Sequence, residues 1–153
     1  MKLLKHAMVS ALATGLMLGM VHPPSSATNI GEQGCTPGYW KNHTSNWEEY
    51  KPTQTVGSVF TAYTGTYAKT SLSSALALRG GSTLDGSREI LLRASTAAVL
   101  NAAHEGVGYP YRRFSEPFSI LAKVQTALNG QDRQAMIDLA ATLDAANNLG
   151  CPL

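Results

Sequence analysis

Cysteine occurs twice in this chain, at Cys35 and Cys151, and the two positions stand near opposite ends of everything that follows an export-type leader. The leader carries Lys2 and Lys5, an apolar run from about Ala7 to Val21, and a polar stretch closing on Ser25-Ser26-Ala27. That three-part pattern predicts a secretory signal peptide over residues 1–27, cut after Ala27; an uncleaved helical anchor is the competing reading. The run is short for a membrane span and no second one follows, so the mature chain is expected to hold no integral membrane segment. An exported chain meets oxidising conditions, and with no third cysteine to compete, Cys35 and Cys151 are predicted to pair. Closing a loop of that length removes denatured-state entropy worth about 4–5 kcal/mol. The alternative, two free thiols or metal ligands, lacks the short-spaced ligand pair that marks a metal site.

Two of the chain's 12 Lys and Arg, Lys2 and Lys5, belong to the leader, so the mature part is formally neutral against its 10 acids. Neutrality argues against nucleic acid as a partner, because phosphate binding needs a surplus of Lys and Arg on one face. Residues 28–153 have the length of a single domain able to bury a core.

The pattern after Cys35 is mainly helical. Ser45-Asn46-Trp47-Glu48-Glu49 reads as a cap and an acidic first turn of a short helix that Pro52 ends. Thr53 to Thr70 reads as irregular, with one helical turn near Gly57–Ala62 and strand as the alternative. Ser71 is placed to cap a helix through Leu78. The clearest segment opens at Asp85-Gly86-Ser87 and runs through Ala103. It is apolar on nearly every side and rich in alanine, which predicts a helix in the middle of a bundle. Further helices are expected from Ser115-Glu116-Pro117 through Leu128, ended by a left-handed cap at Asn129-Gly130, and from about Asp132 to Ala146. The fold class follows: a small, single-domain, mainly α bundle with a loop-rich N-terminal part, closed by one disulfide.

Candidates for chemistry are few. The mature chain has two histidines, His43 and His104, without the close spacing of a zinc motif, and no nucleophile elbow or phosphate loop is present. No catalytic residue and no cofactor is predicted. Tyr39, Trp40, Trp47, Tyr50, Tyr109 and Tyr111 lie in two turn-rich places instead of in the alanine-rich helices. Rings there can stack on sugars or anchor a protein contact, or fill the second face of a core poor in large side chains. The filling role is the stronger reading for Trp40. Lys41, Asn42 and His43 add donors around the same segment, and Asn42-His43-Thr44 fits a glycosylation sequon. His104 suits a helix carboxyl end, where a donor meets the last carbonyls. Asn101, polar within an apolar helix, is expected to hydrogen-bond across to the loop that follows Cys35.

The run Cys35-Thr36-Pro37-Gly38-Tyr39-Trp40-Lys41-Asn42-His43, with Leu143 to Leu153 at the other end, resembles a secreted microbial domain found alone or inside larger surface proteins. The likeness covers essentially the whole mature chain. It implies export, one compact domain and a core shared by both cysteine segments, and it brings no established activity and no catalytic residues. It also inclines the reading toward a surface or matrix module.

The expected function is therefore an exported, non-catalytic binding or structural module, periplasmic or extracellular, recognising a carbohydrate or a surface protein. Its candidate binding residues are Tyr39, Trp40, Lys41, Asn42, His43, Trp47, His104, Tyr109 and Tyr111. The alternative is a small secreted hydrolase or metal-dependent enzyme using His43, His104 and a nearby acid.

Overall fold

Among the described residues the longest helix is rich in alanine and leucine, and four other helices pack against it. The structure is a computed structural model describing residues 31–153; the leader and its cleavage point lie outside the described residues. Among the described residues six α-helices follow one another: α1 (Pro37–Asn42), α2 (Val56–Val59), α3 (Leu72–Ala75), α4 (Leu84–Ala103), α5 (Ile120–Gly130) and α6 (Arg133–Asn147). A 3₁₀ turn over Thr44–Asn46 follows α1. Among the described residues there is no strand, only three isolated bridges. None of their helices is long and apolar enough to cross a membrane.

Helix α4 starts at a Thr83 cap, whose hydroxyl accepts from Gly86 N–H at 3.0 Å. It ends where His104 leaves helical geometry. Leu91, Leu92, Ala94, Ala97, Ala98, Val99 and Leu100 are all buried, so the helix has no solvent face along its middle. It packs against α1, α3, α5 and α6, with α6 as its main partner. Small side chains allow close approach on one flank, and the volume is made up elsewhere by Trp40, Phe60 and Met136, each fully buried.

Both ends of the described chain meet beside this helix. Cys35 and Cys151 are joined, with Cα atoms 4.4 Å apart at a sequence separation of 116. One position before each cysteine, Gly34 N–H donates to the Gly150 carbonyl at 3.0 Å. Gly34 is required for packing: a Cβ there would run into the Ala146 carbonyl at the end of α6.

Several local expectations are corrected. No helix begins at Ser45. The helix lies one segment earlier, because Thr36 supplies the cap (its Oγ1 accepts from Tyr39 N–H at 3.1 Å) and Pro37 pre-sets the first turn. Residues 112–119 are not the start of α5. Ile120 N–H donates back to the Arg112 carbonyl and Leu121 N–H to that of Arg113, which makes this stretch a loop, and Ser119 caps the helix instead. The left-handed residue after α5 is Gln131, at φ 53°, while Gly130 remains inside the helix. Helix α3 is shorter than expected, though Ser71 does cap it. The single helical turn expected in the irregular passage is α2, held by Val56 N–H to the Thr70 carbonyl and Gly57 N–H to the Ala68 carbonyl, each at 2.8 Å.

Candidate functional site

Helix α1 divides the aromatic segment into an inner and an outer layer. Neighbouring residues on a helix point in different directions, so Trp40 turns inward and is 0 % exposed, while Tyr39 stays half-buried on the outside. Their rings meet edge-on, 5.3 Å between centroids.

Asn101 organises the inner layer. Its Oδ1 accepts from Cys35 N–H at 2.7 Å and from the Trp40 indole N–H at 3.1 Å. Its Nδ2 donates to the Cys35 carbonyl at 2.8 Å and to Asn147 Oδ1 at 3.0 Å. All four capacities of the amide are thus used. Asn147 extends the chain of bonds: its Nδ2 donates to the Ala94 carbonyl at 3.0 Å, and its Oδ1 also receives the Tyr109 hydroxyl at 2.8 Å. The cysteine segment, both tightly packed helices and the turn after α4 are therefore tied through two buried amides. Burial pushes the Tyr109 phenol well above its ordinary value, so it acts as a neutral donor.

The carboxyl end of α4 closes with a second cluster. His104 lies against Trp40, 5.8 Å between ring centroids. Its Nδ1 accepts from Gly106 N–H at 3.0 Å, which leaves the proton of the neutral ring on Nε2, 3.5 Å from Glu48 Oε1. The other Glu48 oxygen accepts from Glu105 N–H at 2.7 Å. The one lone pair of that neutral imidazole, on Nδ1, is taken by Gly106 N–H. Beside it, Glu49, in left-handed backbone geometry at φ 60°, grips the Arg113 guanidinium with both oxygens at 2.6 and 2.8 Å. That bond holds the Glu49 carboxyl below its usual range. The two acids thus serve partners far along the chain instead of a helix start.

The outer layer is a rim of accessible groups. His43 stacks on Tyr39, with centroids 4.2 Å apart and planes 12° from parallel. Its Nδ1 donates to the Tyr39 carbonyl at 2.9 Å, so Nε2 faces outward as an acceptor. Asn46 Nδ2 donates to the Tyr39 hydroxyl at 2.7 Å, and the half-buried Trp47 donates its indole N–H to the Trp40 carbonyl at 3.0 Å. Lys41 and Asn42 are exposed alongside.

The sequence-predicted residues thus separate. Tyr39, Lys41, Asn42, His43 and Trp47 share one accessible rim. Trp40 and Tyr109, 0 % and 3 % exposed, belong to the core, and His104 packs between Trp40 and Glu48. Tyr111 is elsewhere, stacked on Phe118 at 4.1 Å. His43 and His104 pack on different rings, and among the described residues no group of three or more His, Cys, Asp or Glu side chains is placed to hold a metal ion. Sequence reasoning missed Asn147, although it falls in register with the buried Met136, Ala140 and Leu143 on the core stripe of α6. A polar residue on that stripe was the available signal. Set against known proteins, the chain matches no family model, no curated protein and no solved structure.

Proposed function

We propose that this chain is an exported, non-catalytic recognition module that binds a glycan or a protein surface outside the cytoplasm. The observation that carries the reading is the Tyr39–His43 stack. It is an accessible aromatic pair fixed by hydrogen bonds at Tyr39 Oη and His43 Nδ1, on a helix anchored beside the disulfide. Rings already immobilised lose little side-chain entropy on binding, so their contact area converts more fully into affinity. Lys41, Asn42 and the outward His43 Nε2 give that platform donors and an acceptor for orientation.

The resemblance of the Cys35–His43 run to secreted surface domains supports the same reading, as does a disulfide that suits an oxidising compartment. Purified, oxidised mature protein is screened against a panel of polysaccharides and cell-envelope preparations, with metal content measured on the same sample. The expected result is binding weakened by Tyr39→Ala or Trp47→Ala, with the fold intact by circular dichroism. Stoichiometric zinc or copper, or turnover abolished by His43→Ala, overturns the module reading in favour of the hydrolase or metalloenzyme.

A further inference from the structure

A cleft of about 470 Å³ opens between the segment after Trp47 and the start of α5, with Tyr50 and Phe114 among its walls. Val59, Leu121 and Ala122 contribute apolar surface, while Gln54, Thr61 and Gln125 contribute neutral polar side chains. We propose that this cleft is a second binding site, for a short segment of a neutral oligosaccharide; the assignment rests on the recognition-module reading and adds a ligand class and a place.

Three features choose that ligand. First, Phe114 is 69 % exposed, the most exposed large apolar side chain of the described residues. It is nonetheless supported: the Arg113 guanidinium packs on its ring at 5.1 Å and on the Tyr50 ring at 5.7 Å. The same guanidinium is pinned by the bidentate Glu49 contact and by the Tyr50 hydroxyl at 3.3 Å. An exposed ring braced in this way offers a flat apolar face of the kind that covers the C–H face of a sugar.

Second, none of the side chains lining the cleft carries a charge. Glu49 balances the neighbouring Arg113, so an ionic ligand gains no counter-charge there and loses hydration on entering. Third, the polar groups match hydroxyls. Gln54 spends its Oε1 on Lys51 N–H at 2.6 Å and keeps its Nε2 donors. Thr61 and Gln125 make no side-chain hydrogen bond to other described residues, and so bring a hydroxyl and an amide that both donate and accept. The Ser58 and Ser119 hydroxyls, by contrast, are already donated to the Thr55 and Arg113 carbonyls. Aromatic walls, unspent amides and a volume inside the small-ligand range of roughly 300–1,000 Å³ make a pocket for an uncharged polyol.

The test uses ¹⁵N-labelled, oxidised mature protein titrated with cellotetraose, xylotetraose, chitotetraose and maltotetraose, and with tetragalacturonate as the charged control. At least one neutral tetrasaccharide is expected to shift the amide resonances of residues 50–61 and 114–125. Phe114→Ala should weaken that binding about tenfold or more, as for a buried aromatic anchor. Gln125→Glu, which adds charge without removing a contact surface, should also weaken it. Phe114 and Gln125 lie at or near the surface, and an unchanged melting temperature confirms that each variant folds. The cleft assignment is overturned if no neutral tetrasaccharide shifts those resonances, if Phe114→Ala binds as well as the parent, or if tetragalacturonate binds equally. Shifts confined to residues 39–47 overturn the cleft and leave the module reading standing; hydrolysis of any sugar overturns the module reading itself.

Discussion

Replacing Asn101 should cost far more than replacing any other polar side chain of α4, and the order of two variants tests why. In Asn101→Ala the Cys35 N–H, the Cys35 carbonyl and the Trp40 indole N–H all lose the partner that Asn101 supplies, whereas Asn147 Oδ1 keeps Tyr109. A buried group left unsatisfied costs about 1–3 kcal/mol. Three such groups set a gross loss of several kcal/mol, but the vacated space is polar on three sides and suits a water molecule that meets all of them. Asn101→Ala is therefore expected to lose about 3 kcal/mol of stability, near the low end of that range. Asn101→Leu fills the space with hydrocarbon, excludes the water and leaves the three groups dry, so it should lose about 5 kcal/mol. Urea melts followed by tryptophan fluorescence, with Trp40 as the reporter beside the site, measure both as midpoint shifts at constant slope. A simple burial argument predicts the reverse order, since leucine is the more apolar residue. Leucine equal to or better than alanine, or either variant within about 1 kcal/mol of the parent, would refute the account of Asn101 as the hub.

Four other outcomes follow from the same geometry. Cys35→Ser with Cys151→Ser opens a loop closed across a sequence separation of 116 and should lower stability by about 4–5 kcal/mol in the chain-entropy limit, read from the same melts against the oxidised parent. Gly34→Ala drives a methyl group into the Ala146 carbonyl and should lower the melting temperature by several degrees, whereas Gly130→Ala, in helical geometry with open space around it, should not. Tyr67 is pushed up to about 12, chiefly by burial and next by its bond to Glu89, so its contribution is complete below pH 10 and is lost as pH rises from 10 toward 12; Tyr67→Phe should flatten that alkaline limb of a pH–stability curve. Glu89 is held below its usual 4.5, first by Gly80 N–H and then by Tyr67, so its contribution is present above that value and lost as pH falls below it; Glu89→Gln should flatten the acid limb.

Much of the frame was legible where one strong local signal acted alone. The alanine-rich run of α4 left a helix no face to show to water, and two cysteines with no competitor had one intramolecular pairing open to them. Asn101 was legible for a related reason: an amide inside an apolar helix must find partners, and a nearby loop rich in backbone groups offered them. Glu48 and Glu49 were misread because their local pattern suits a helix start, whereas their oxygens are taken by Glu105 N–H, His104 and Arg113, between 56 and 64 residues away. No window of neighbouring residues contains that information. Tyr109 and Tyr111 looked alike in sequence, yet one hydrogen-bonds to Asn147 in the core and the other stacks on Phe118. Phe114 drew no notice because its role depends on where Glu49 holds Arg113.

The joined ends have a mechanical consequence. With Cys35 tied to Cys151 and Gly34 paired to Gly150, tension applied between residues 31 and 153 passes across the disulfide and not through the helices. A pull on that axis leaves the ring closed by Cys35 and Cys151 slack and the aromatic rim undeformed. A fold wired in this manner can be loaded at its two ends while its helices stay unloaded.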